Sequence, residues 1–149
     1  MKDEVQQVQL TLPATADYVD IVRLNLYGIA SKMGFSYEDI EDMKVAVSEA
    51  CNNSVLYAYN HEDGIVEVIF EVRPGELVIT VKDNGESFES YKGDVSATLH
   101  DKELGEAQIG GLGFYLMQAL MDDVSVVNEA GKGTKVVLTR KLTRSEERV

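Results

Sequence analysis

Ser48-Glu49-Ala50-Cys51-Asn52-Asn53-Ser54 lies where a helical pattern gives way to strands. Upstream of it, Ile40, Met43 and Val47 recur at three and four residues, which predicts an amphipathic helix running to about Ala58. Glu49 and Asn53 are four apart, so they stack on one face of that helix. At about 100° per residue, this face points away from the stripe led by Ile40, Met43 and Val47. A carboxylate and a carboxamide so arranged suit a general base beside a hard-metal ligand. A polar face turned to water produces the same pattern, so the segments on either side have to decide.

Toward the N-terminus, Ser36 with Asp39 three residues on resembles a capping box that starts this helix. Before it, Val19, Val22, Leu26, Ile29 and Met33 give a second helical period, from about Asp17 to Gly34. Val8, Leu10 and Leu12 alternate with Gln9 and Thr11, an opening strand ended by Pro13. Toward the C-terminus, His61-Glu62-Asp63-Gly64 turns into a strand over 65–71, with Val66, Val68 and Phe70 on one side. Pro74-Gly75 then folds the chain back into a strand over 77–82. Residues 86–109 hold no sustained period, and so long a run in a compact domain is usually functional. Phe114, Met117, Leu120 and Met121 form one face of a third helix. Strands over 124–127 and 135–142 follow, joined at Gly131-Lys132-Gly133, and a charged tail occupies 143–149. Short turns between neighbouring strands imply a mostly antiparallel mixed sheet with its helices on one face. The expected fold is therefore an α/β two-layer sandwich, a single domain over 1–142.

Composition sets outer bounds. A chain of 149 residues can bury a core without staples, and its 44% apolar and 27% charged content suits a soluble globular domain. The net charge of −12 argues against direct nucleic-acid binding, which needs clustered Lys and Arg, and fits a basic protein partner better. Cys51, the single cysteine, excludes an intrachain disulfide and a cysteine zinc site, and its small apolar neighbours suggest packing. With no apolar run of membrane-span length and no basic-then-apolar leader, the expected location is the cytoplasm.

Three further segments could carry chemistry. Asp83-Asn84-Gly85 stands at a strand exit, where it serves as a plain turn or as a carboxylate aimed at an exocyclic amine. Gly110-Gly111-Leu112-Gly113 leads into a helix, either as a hinge or as backbone that approaches an anion closely. It is no P-loop, since no Gly-Lys-Ser/Thr follows, and no dinucleotide fingerprint, since no parallel βαβ unit surrounds it. Gly131-Lys132-Gly133-Thr134 taken alone is a structural turn.

In this order the segments resemble the nucleotide-binding boxes of the GHKL (Bergerat-fold) ATPases, which include gyrase, Hsp90, histidine-kinase and MutL-type domains. Val47 to Ser54 and Gly110 to Met117 narrow the likeness to the bacterial anti-sigma factor serine kinases. Ile40 to Ala50 and Leu120 to Val124 favour the sigma-B type over the sporulation sigma-F type. The resemblance implies ATP and Mg²⁺ as cofactors, with Glu49 as the base for a serine hydroxyl and Asn53 as the Mg²⁺ ligand. It implies that Asp83 reads adenine with Gly85 and Thr134 in support, that Gly111 and Gly113 face the phosphates, and that 86–109 form the ATP lid. It further implies a homodimer that sequesters a sigma-B-type sigma factor, phosphorylates an anti-anti-sigma factor and uses Arg23 at the partner surface.

Some positions depart from the pattern. Ser87 replaces a usual glycine, Tyr57 stands where many members carry His, and no arginine immediately precedes Gly110; Lys102 reads more readily as a solvated surface lysine than as a substitute for it. The rival readings are an ATP-binding sequestering module without catalysis and a histidine-kinase-like catalytic module. The two histidines, His61 and His100, lie in no paired-helix segment, so the latter needs a phosphoacceptor from elsewhere.

Overall fold

A computed structural model of the chain describes residues 5–54, 64–84, 112–129 and 133–142. The elements are β1 (Gln6–Pro13), a 3-10 turn (Ala16–Tyr18), α1 (Val19–Met33), α2 (Tyr37–Asn53), β2 (Ile65–Arg73), β3 (Glu76–Asp83), α3 (Leu112–Leu120), β4 (Asp123–Glu129) and β5 (Gly133–Lys141). The five strands run in the order β1-β2-β3-β5-β4, and each of the four pairings is antiparallel. The expected mostly antiparallel sheet with helices packed upon it is thus found. The end of α2 expected at 55–58, the lid at 86–109, Ser87, Lys102 and the tail lie outside the described residues.

Alternation fixes the register. Val68 pairs with Val81, which pairs with Val136, and one row along Phe70, Ile79 and Leu138 align in the same way. All six are buried, and with Val22, Leu26, Met43, Val47 and Met117 of the helices they make one core. A one-residue slip would turn this whole set to the other face, so the hydrophobic pattern specifies the pairing. The next row in the same register is polar at its centre: Val66, Asp83 and Thr134. The site lies at this end of the sheet.

Local chemistry ends α1 and starts α2 where the sequence predicts. Gly34 takes φ 101° after α1, and its N–H bonds Ser31 O at 3.1 Å while Phe35 N–H bonds Ala30 O at 3.1 Å. This pair of bonds is the Schellman stop, which a left-handed glycine permits. Ser36 Oγ accepts from Asp39 N–H at 3.1 Å and caps α2. At that end of α2, Arg140 donates to Asp39 Oδ1 at 2.6 Å and to the Leu120 carbonyl at 2.5 Å. A single half-buried guanidinium thereby fastens the last turn of α3 to the first turn of α2. The opposite ends of these two helices, with Asn53 and Gly113, are left to form the site.

Candidate nucleotide and phosphoryl-transfer site

The last turns of α2 carry Glu49, Asn53 and Ser54. Asn53 and Ser54 are buried, whereas Glu49 is half-buried. The sequence places the Glu49–Asn53 face off the core stripe, but Asn53 is 5% exposed. The reason is tertiary: α2 packs against α1, α3 and the sheet, and a helix period read alone does not record what those neighbours cover.

Two contacts define the site. A Cβ built on Gly113, in the first turn of α3, would lie 2.7 Å from Glu49 Oε1, so the carboxylate rests against glycine backbone. Ser54 Oγ donates to Asp83 Oδ2 at 2.9 Å in a buried pair. Asp83 is 2% exposed and stands opposite Thr134, itself 3% exposed, in the sheet register. Gly133, at φ 95°, brings the start of β5 onto the Asp83–Asn84 backbone. Asn53, Ser54, Asp83 and Thr134 are four of the five buried polar residues described, and all belong to this end of the fold. Buried polar groups are costly unless partnered. Concentrating them in one place is what a polar ligand site requires and what a core does not.

The chain matches the family of histidine kinase-like ATPase domains over residues 12–140. It is 38% identical to the serine-protein kinase RsbW of Bacillus cereus (strain B4264) over 148 residues, 98% of this chain and 91% of that protein. The serine-protein kinase RsbW of Bacillus anthracis (strain CDC 684 / NRRL 3495) is 37% identical over the same shares. The chain belongs to the RsbW-type serine-protein kinases of the histidine kinase-like ATPase family. A crystal structure of the RsbU and RsbW domains of a Mycobacterium tuberculosis protein shares the fold at TM-score 0.62 and 23% identity. It aligns with 92% of this chain, which spans 32% of that longer protein.

Membership of the RsbW-type kinases agrees with the resemblance read from the boxes and makes ATP the nucleotide of this chain. Of the expected site residues, the structure joins Glu49 to Gly113 and aligns Asp83 with Thr134, with Asn53 on the helix between them. Gly85, Gly111 and Tyr57 lie outside the described residues. Ser54 is the residue that sequence reasoning missed. Its signal was weak, a small hydroxyl directly after the paired Glu49 and Asn53, and its partner Asp83 is 29 residues away.

Arg23 belongs to the seam between α1 and α2. It donates to Ser48 Oγ at 2.8 Å and pairs with Asp20, leaving its side chain 34% exposed. Its charge also reaches Cys51, whose thiol burial pushes up to about 12 against the opposing pull of Arg23. Cys51 is therefore an inert packing residue, as its neighbours suggested. Among the described residues no group of three or more His, Cys, Asp or Glu could hold a metal, and no helix is long and apolar enough to cross a membrane. Mg²⁺ at an ATP site usually takes one or two protein ligands plus phosphates and water, and a single buried carboxamide oxygen fits that donor set.

Proposed function

We propose that this kinase phosphorylates an anti-anti-sigma factor on serine with ATP and Mg²⁺, and that it also sequesters a sigma factor of the sigma-B type. It does so in the cytoplasm as a homodimer. The observation that carries this reading is the contiguity of Glu49, Asn53 and Ser54 on one helix end, with Gly113 against the first and Asp83 bonded to the last.

Phosphoryl transfer depends mainly on positioning and charge stabilisation. Glu49 takes the proton of the attacking serine hydroxyl as its oxygen bonds to the γ-phosphorus and the bond to the β,γ-bridging oxygen breaks, leaving ADP. Asn53 would supply the protein ligand for Mg²⁺, which when bound would neutralise phosphate charge. Backbone N–H groups at Gly111 and Gly113 face the phosphates at the start of α3. Asp83 accepts from the adenine amine, supported by Gly85 and Thr134 and held in place by Ser54. Ile21, Leu24 and Tyr27 stand exposed on the helix that carries Arg23, which supports a protein contact there.

The reading is tested by incubation with labelled ATP and Mg²⁺, with and without a candidate anti-anti-sigma protein. Acid-stable label on that protein is expected, because phosphoserine survives acid. Acid-labile label would replace this reading with histidine phosphorylation, and ATP binding without transfer to any candidate would leave a sequestering module. Ser54→Ala supplies a finer check. A hydrogen bond to a buried charged group is worth about 1.5–3 kcal/mol. ATP affinity is therefore expected to fall roughly tenfold or more, while turnover at saturating ATP stays near wild type. An unchanged Kd would remove Ser54 from the adenine side of the site.

A further inference from the structure

We propose that Gly113 is a positioning residue for Glu49, its missing side chain setting where the catalytic carboxylate lies. This rests on the reading of Glu49 as the general base and is separate from any contact between Gly113 N–H and phosphate. A Cβ at position 113 would meet Glu49 Oε1 at 2.7 Å, Cδ at 3.7 Å and Cβ at 3.8 Å, its three nearest atoms beyond its own helix backbone and chain neighbours. Ordinary van der Waals contact begins near 3.4 Å, so only the carboxylate end has to move. That end belongs to a flexible side chain, and moving it costs the fold little. Chemistry is less tolerant, since a misplacement of about 1 Å can cost roughly 100-fold in rate.

Gly113 is the second residue of α3, and alanine is a better helix former than glycine, by up to about 1 kcal/mol in a helix interior. A glycine kept for helix stability makes no sense at this position. A glycine kept to leave room for a carboxylate does. Arg140 ties the far end of α3 to the first turn of α2, so the two helices are joined at one end by its guanidinium and meet at the other through Glu49 and Gly113.

The test compares Gly113→Ala with wild type for phosphoryl transfer to the protein substrate, ATP affinity and thermal stability. The expected result is a kcat lower by about 10- to 100-fold, with ATP Kd within about twofold and Tm unchanged or raised. The same substitution in a Glu49→Asp background is expected to cost less than about threefold, because the shorter side chain withdraws its carboxylate from the new methyl. An equal loss in both backgrounds, or a parallel loss of ATP affinity, would overturn the inference by placing the effect of Gly113 on the phosphates. Full activity of Glu49→Gln would instead overturn the general-base reading itself, and that outcome is independent of any variant at position 113.

Discussion

Glu49→Gln is expected to lower phosphoryl transfer by about 10²- to 10⁴-fold, the usual contribution of a positioned general base. At 1.36 kcal/mol per decade this is about 3–5 kcal/mol of barrier. Glutamine is a better probe than alanine because it keeps the shape of the side chain against Gly113 and removes only the ability to take a proton. Glu49 lies a full turn before Asn53 and on the opposite side of it from Ser54 and Asp83 in the chain, so the adenine side should be untouched. ATP affinity and capture of the sigma factor are therefore expected to stay near wild type. Single-turnover transfer from labelled ATP, measured beside equilibrium nucleotide binding, separates the two. A Glu49→Gln protein that transfers phosphate within a few-fold of wild type would require another base, and no other carboxylate is joined to the first turn of α3 by a described contact.

How much of this was readable from the chain divides along local and non-local lines. The strands were legible because alternation such as Val66, Val68 and Phe70 is a local record of which face is buried. The helix stop at Gly34 and the helix start at Ser36 were legible for the same reason, since each works through bonds to residues within five positions. Asp83 was ambiguous because turn chemistry and a ligand-reading carboxylate use the same residues. Its 2% exposure and its bond to Ser54 come from tertiary packing, which a turn sequence does not record. Asn53 was placed off the core because periodicity describes α2 by itself, whereas burial depends on the elements packed around it. Arg140 and Arg23 join elements that no sequence period connects. Gly133 was read as a structural turn, and its tightest contact is to another strand entirely.

That contact makes Gly133→Ala the substitution with the largest expected effect on the fold. A Cβ there would lie 1.9 Å from Asp83 O and 2.6 Å from Asn84 Cα, and both are backbone atoms that cannot swing aside. The φ of 95° adds the ordinary left-handed penalty of about 1–2 kcal/mol. Overpacking against fixed atoms typically adds about 1–3 kcal/mol. The total, about 3 kcal/mol or more, corresponds to a Tm lower by roughly 10 °C for a chain of this size. Gly75→Ala isolates the cause, because Gly75 has φ 82° but nothing within 4 Å of its Cβ position. It carries the conformational penalty alone, and its Tm is expected to fall by only a few degrees. The nucleotide readout should diverge still further. Relieving the clash at Gly133 means drawing the start of β5 away from the end of β3, which parts Asp83 from its register partner Thr134. Gly133→Ala is therefore expected to lose most of its ATP affinity at temperatures where it remains folded, while Gly75→Ala binds normally at the far end of the hairpin. Equal melting and equal binding in the two variants would mean that the start of β5 does not hold the Asp83 carboxylate in place.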